Sequence, residues 1–170
     1  MYERFYGLNA RPFDLTPNPR YLVLTSQHRE ALNNLEYAIA NRTGVTLLIG
    51  EAGTGKTTVI RAAVERQSTL THCVHLHNPA LTRAEFVQML AAQFALSDRA
   101  RTSKTDLLLE LEQLFQRHHA AGERTVLIVD EAQSLPSMLL EEIRLLSNIE
   151  ANDEKLLSIV IAVSRSWPPA

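Results

Sequence analysis

The chain has 170 residues, 45% of them hydrophobic and 21% charged, with 17 Lys+Arg against 19 Asp+Glu and a formal net charge of -2. A single globular domain with its own core fits these figures, and Cys73, the one cysteine, excludes a disulfide scaffold. A basic run that would track nucleic acid, an apolar stretch of the roughly 18 residues a membrane span needs and a secretory leader pattern are all missing, so the expectation is a cytoplasmic protein without nucleic-acid or membrane contact.

The opening segment, Arg11-Pro12-Phe13 through Thr16-Pro17-Asn18-Pro19, reads as an irregular arm, because each proline fixes its own φ and removes a donor. A helix follows, with Ala31, Leu32, Leu35, Ala38 and Ile39 on one face, Thr25 or Ser26 as its cap and Gly44 as its stop. Val45–Ile49 is a β-branched apolar run, followed by a glycine-rich segment and a helix to about Gln67. A strand is predicted over His72–His77, and Thr82-Arg83-Ala84-Glu85 is a capping-box pattern opening a helix with Phe86, Met89, Leu90 and Phe94. Another helix spans Thr105–Ala121, with Gly122 just beyond it. Val126–Val129 is a strand ending in Asp130-Glu131, a helix runs from near Pro136 to about Ile149, and Leu156–Val163 is a fourth strand. Strands alternating with helices predict an α/β fold: a parallel sheet with helices on both faces.

Gly50-Glu51-Ala52-Gly53-Thr54-Gly55-Lys56-Thr57 matches Gly, four residues, Gly-Lys-Ser/Thr, and it lies between a predicted strand and a predicted helix, as that pattern requires. The glycines let backbone N–H groups point inward at a polyphosphate where the next helix begins with its positive dipole end. Lys56 reaches the β- and γ-phosphates and the Thr57 hydroxyl ligates Mg²⁺, with Thr58 completing the nucleotide-binding stretch. The second half of such a site is the strand ending in Asp130, a carboxylate for Mg²⁺, and Glu131, a carboxylate for the attacking water. The cofactors expected are therefore ATP and Mg²⁺.

Cys73, His75 and His77 alternate onto one strand face, with His72 beside them. Same-face positions on a strand point in parallel, so they read as sheet residues and not as a converging metal site. His118-His119 near a helix end reads as a surface pair favoured by the helix dipole.

With both nucleotide motifs placed, further residues carry a resemblance. Met1-Tyr2, Phe5-Tyr6-Gly7-Leu8, Pro12-Phe13, Pro17-Asn18-Pro19-Arg20, His28-Arg29-Glu30-Ala31-Leu32, Asn78-Pro79, Asp130-Glu131-Ala132-Gln133 and Glu142-Ile143-Arg144-Leu145-Leu146-Ser147-Asn148 together resemble the ExeA/GspA family, AAA+ ATPases of bacterial general secretion and pilus biogenesis. Transposition ATPases of the TniB type are similar in the core. The resemblance implies a P-loop NTPase sheet in which the Leu156 strand lies between the phosphate-loop strand and the Asp130 strand. It also implies an N-terminal arm that helps enclose the adenine, through Phe13, Pro19, Tyr21 and Leu22. The domain plan is then 1–44 as arm and helix on the adenine side, 45–162 as the ATPase core and 163–170 as an aberrant tail.

That tail departs from the family, whose continuation resembles Gly-Gln-Pro-Glu-Leu-Ala with a polar sensor at the strand end. Deleting one base from codons for that continuation yields Val-Ser-Arg-Ser-Trp-Pro, the residues found at 163–168. The expectation is a frame-shifted, truncated product, incomplete at its C-terminus, with a phosphate-loop strand that lacks a neighbour and forms an apolar edge. The activity implied is Mg-dependent conversion of ATP and water to ADP and phosphate, with Lys56 and Glu131 catalytic and turnover impaired. A homo-oligomer or a secretion or pilus assembly protein is the implied partner. Alternatives are a transposition-type regulator and a fragment that holds ATP without turnover. A guanine-reading Asn/Thr-Lys-x-Asp segment does not occur, which disfavours a GTPase.

Overall fold

The computed structural model describes residues 6–7, 24–76 and 81–165. The elements in chain order are α1 (Ser26–Ala40), β1 (Val45–Glu51), α2 (Lys56–Glu65), β2 (Thr71–Leu76), α3 (Arg83–Gln93), α4 (Asp98–Thr102), α5 (Lys104–Ala120), β3 (Arg124–Val129), a 3₁₀ turn (Ala132–Ser134), α6 (Ser137–Leu146), a short hairpin of β4 (Glu150–Ala151) and β5 (Glu154–Lys155), and β6 (Leu157–Arg165). Four strands form one parallel sheet in the order β1-β6-β3-β2. The Leu156 strand thus lies between the phosphate-loop strand and the Asp130 strand, as the family resemblance implies.

Alternation along β3 and β6 divides the core in two. Val126, Ile128, Val160 and Ala162 face Leu32, Leu35 and Ile39 of α1 and Val59, Ile60 and Ala63 of α2. Leu127, Val129, Leu157 and Ile159 face the other way, onto α3, α5 and α6 through Phe86, Leu90, Leu111, Phe115, Leu139 and Ile143. A strand buried on both faces needs a continuous apolar run, and Val126–Val129 is one. Full burial of each of these large side chains contributes about 1.5–3 kcal/mol before ordering entropy is subtracted.

The local signals act as read, with a few differences. Thr25 caps α1 by accepting the His28 N–H at 3.3 Å. The Thr82–Glu85 capping box forms in full: Thr82 Oγ1 accepts from Glu85 N at 3.3 Å and Thr82 N donates to Glu85 Oε2 at 2.8 Å. α1 ends at Ala40 and the left-handed residue after it is Arg42, at φ 52°, so Gly44 is not the stop. Arg42 holds that conformation through side-chain bonds to Glu154 Oε2 at 2.8 Å and the Glu123 carbonyl at 3.2 Å. α4 and the β4–β5 hairpin had no clear signal, the first spanning only Asp98–Thr102 and the second turning on left-handed Asn152 and Asp153.

Among the described residues β1 pairs only with β6, so it is a sheet edge. Its outward positions Val45, Leu47 and Ile49 are exposed, Leu47 at 59% and Ile49 at 50%. No helix of the described residues is long and apolar enough to cross a membrane.

Candidate nucleotide site

β1 and β3 both lie against β6, so their carboxyl ends open side by side on one edge of the sheet, where open α/β folds bind ligands. The glycine-rich segment leaves β1 there and the Asp130-Glu131 pair leaves β3. All the sequence-predicted site residues, Gly50 to Thr58 with Asp130 and Glu131, fall at this edge. The arm residues Phe13, Pro19, Tyr21 and Leu22 lie outside the described residues.

The loop is held by glycine geometry and by its own carbonyls. Gly55, at φ 84°, stands at the N-cap of α2 and turns the chain into the helix, a conformation that strains any residue with a Cβ. A Cβ on Gly50 would meet Thr54 Oγ1 at 3.0 Å, and that hydroxyl is fixed by donating to the Glu51 carbonyl at 2.8 Å. Lys56, the first residue of α2, folds back into the loop. Its Nζ donates to the Glu51 carbonyl at 2.8 Å and the Gly50 carbonyl at 3.2 Å, and the residue is 8% exposed. Among the described residues this buried ammonium bonds neutral carbonyls and meets no counter-charge, which makes the loop receptive to an anion.

Thr57 Oγ1 donates to Asp130 Oδ2 at 2.6 Å, joining helix α2 to the end of β3 across 73 positions of sequence. The other carboxylate oxygen, Asp130 Oδ1, accepts the Glu131 N–H at 2.9 Å, which fixes the plane of the group. A hydroxyl and a carboxylate in contact at a helix N-terminus are hard oxygen donors, and they fit Mg²⁺. Glu131 itself sits at φ 53°, ψ 39°, in the left-handed region. Its Oε2 accepts from Ser164 Oγ at 3.1 Å and from Gln133 Nε2, while Gln133 Oε1 accepts the Ser164 N–H at 2.9 Å. The three residues close a ring over the end of β6.

Two of these contacts had no assigned role in the sequence. Gln133 follows Glu131 by two positions, and only the 3₁₀ turn Ala132–Ser134 brings its amide back to the carboxylate. His28, in the first turn of α1, places Nε2 2.8 Å from the Thr54 carbonyl and Nδ1 2.9 Å from the Thr25 hydroxyl. A carbonyl only accepts, so Nε2 carries the hydrogen in the neutral ring and Nδ1 accepts from Thr25. The imidazole therefore links the start of α1 to the phosphate loop. A cavity of about 520 Å³ lies between them, lined by Gln27, His28 and Ala31 on one side and Leu48, Gly50 and Thr54 on the other.

A family model described as AAA domain matches residues 39–167. The chain belongs to the AAA domain family. This AAA domain is 40% identical to General secretion pathway protein A of Aeromonas hydrophila over 162 residues, which are 95% of this chain and 29% of that protein. The chain thus spans less than a third of the length of that relative. Among solved structures, the AAA domain is similar to the ORC2 protein of Aeropyrum pernix, with a TM-score of 0.63 and 16% identity over 89% of this chain and 44% of that one. It is also similar to Cdc6p of Pyrobaculum aerophilum, with a TM-score of 0.61 and 23% identity over 87% and 42%. At such identities the likeness is one of fold, and it agrees with the P-loop NTPase sheet expected from the sequence.

Proposed function

We propose that the chain binds Mg·ATP and hydrolyses it to ADP and phosphate, as the ATPase core of a cytoplasmic protein serving a secretion pathway. The observation that carries this reading is the convergence of the Lys56 loop with the Thr57–Asp130 pair at one sheet edge. Backbone N–H groups of Gly50 to Thr58 and the N-terminus of α2 receive the phosphate oxygens. Lys56 Nζ leaves the loop carbonyls for the β- and γ-phosphates. Thr57 and Asp130 hold Mg²⁺, which neutralises charge on those phosphates. Glu131 orients the attacking water and accepts its proton, and Ser164 and Gln133 hold that carboxylate in place. Segment 1–44 forms the adenine side, for which the cavity between α1 and the loop gives support, and segment 45–162 is the catalytic core. The similarity to General secretion pathway protein A supports the secretion role and a partner among copies of this chain or the secretion machinery.

The ring around Glu131 also favours a second reading, a module that holds ATP without turning it over, since the carboxylate already has two donors. Titration of a fluorescent ATP analogue with and without Mg²⁺, alongside phosphate release by wild type and Glu131→Gln, separates the two. Tight Mg-dependent binding with release lost in Glu131→Gln supports hydrolysis. Equal background release by both proteins overturns it in favour of the holding module, and absence of binding overturns both.

A further inference from the structure

At the opposite end of the sheet from the candidate nucleotide site, three side chains meet, two from a strand and a helix and one from the turn into β3. His72 stands near the start of β2, His118 in the last turn of α5 and Glu123 just before β3, with one ligand atom of each within 4.8 Å of the others. The two imidazoles stack at 4.1 Å between centroids and 16° between planes. His72 Nε2 lies 2.7 Å from Glu123 Oε2.

The positions are built, not incidental to mobile side chains. Glu123 N donates to the His118 carbonyl at 2.8 Å, and the Arg42 guanidinium holds the Glu123 carbonyl at 3.2 Å, which fixes the turn between the two ligands. The hydroxyl of Thr125, 3% exposed, lies 2.8 Å from His118 Nδ1 and sets the orientation of that ring, as partners behind metal-bound histidines do. The side chain of His72 is 44% exposed and that of Glu123 28%, which leaves one side open to solvent.

We propose that His72, His118 and Glu123 form a binding site for a divalent transition ion of the zinc class. Two imidazoles and a carboxylate are the donors such ions select, whereas Mg²⁺ and Ca²⁺ take oxygen alone. Three protein ligands leave the fourth position to water. The ion takes the place of the hydrogen between His72 and Glu123, and the exposed His72 ring supplies the small movement that draws the three atoms together. Cys73 does not belong to the set, because it follows His72 directly on β2 and so faces the other side of the sheet.

The test uses the full chain without nucleotide, titrated with Zn²⁺ in competition with a chromophoric chelator and with Co²⁺ for its visible d–d bands. One equivalent is expected to bind, with affinity lowered at least about tenfold in His118→Ala and in Glu123→Gln and unchanged in Cys73→Ser. Far-UV circular dichroism shows that each variant is folded. If His118→Ala does not fold, the surface variant Glu123→Gln decides the matter alone. Zn²⁺ affinity in Glu123→Gln equal to wild type, or failure of the wild type to compete with the chelator, overturns the site.

Discussion

Ser164 Oγ donates to Glu131 Oε2 at 3.1 Å, so the end of β6 holds the carboxylate that follows β3. β6 continues in register through Arg165, pairing Gly50 with Ser164 and Glu51 with Arg165. Backbone hydrogen bonds and a β-branched Val163 suffice for that continuation, and neither depends on which polar side chain comes next. Ser164→Ala removes one hydrogen bond from Glu131, worth about 0.5–1.5 kcal/mol. The expected outcome is a kcat about two- to tenfold lower with ATP affinity unchanged, read from phosphate release and calorimetry. A parallel loss of affinity would mean that Ser164 supports the loop and not the carboxylate.

Lys56 is the buried cation of the phosphate loop, and its present partners are two neutral carbonyls. Lys56→Ala leaves only backbone donors facing the phosphates. Losing a charge-assisted bond of about 1.5–3 kcal/mol lowers ATP affinity by about 10- to 100-fold. Calorimetric titration checks it, and unchanged affinity would contradict the role given to the loop.

Much of this site was legible because each half of it is local. The segment Gly50 to Thr57 and the run Val126 to Glu131 announce their chemistry within eight residues, and β-strand periodicity places both at strand ends. What joins them is not local. Thr57 and Asp130 were expected on one Mg²⁺, but no local pattern ties His28 to Thr54 or Ser164 to Glu131, contacts that need α1 packed beside the loop and β6 laid next to β3. His118 shows the same limit. Helix-end position predicts a surface pair with His119, but the turn into β3 stacks His118 on His72 and half-buries it. The apolar edge expected at the phosphate-loop strand is seen among the described residues, where β1 has one pairing partner and Leu47 and Ile49 are exposed.

That exposed edge carries a consequence for solution behaviour. A strand that among the described residues pairs on one side only, with outward Val45, Leu47 and Ile49, templates association between chains. Leu47→Thr keeps the β-propensity and removes apolar surface that the fold does not bury. A lower weight-average mass by light scattering at raised concentration is expected, with an unchanged melting temperature. Equal self-association by variant and wild type would place the contact elsewhere.

The capping box of α3 sets an acid limit on stability. Hydrogen bonds from the Thr82 hydroxyl and then the Thr82 N–H hold the Glu85 carboxyl below its usual pKa. The unfolded chain therefore binds the proton more readily, and the stabilisation is complete above the unfolded value of about 4.3 and lost as pH falls through the folded one. In Glu85→Gln that part of the acid dependence disappears. Urea midpoints measured from pH 7 down into the acid range are expected to fall less steeply for the variant. Parallel profiles would show that Thr82 does not favour the ionised form.

Glu131 combines the side chain proposed to act on the water with a costly backbone. At φ 53° and ψ 39° it occupies the left-handed region, which disfavours residues other than glycine by about 1–2 kcal/mol. The surrounding ring and the 3₁₀ turn impose the conformation, so the strain is retained at the carboxylate to which the proposed hydrolysis gives a role. Glu131→Gly relieves the strain but gains chain entropy in the unfolded state, an opposing effect of about 0.5–1 kcal/mol. Glu131→Gln keeps the backbone penalty and loses the charge. The glycine variant is therefore expected to be the more stable of the two by up to about 1 kcal/mol, a rise of about 2–4 °C in melting temperature, while both lose turnover. Calorimetric melting of the two variants beside wild type measures this directly. If Glu131→Gly melts below Glu131→Gln, the hydrogen-bonded ring outweighs the backbone strain and Glu131 is held by its partners at no net cost.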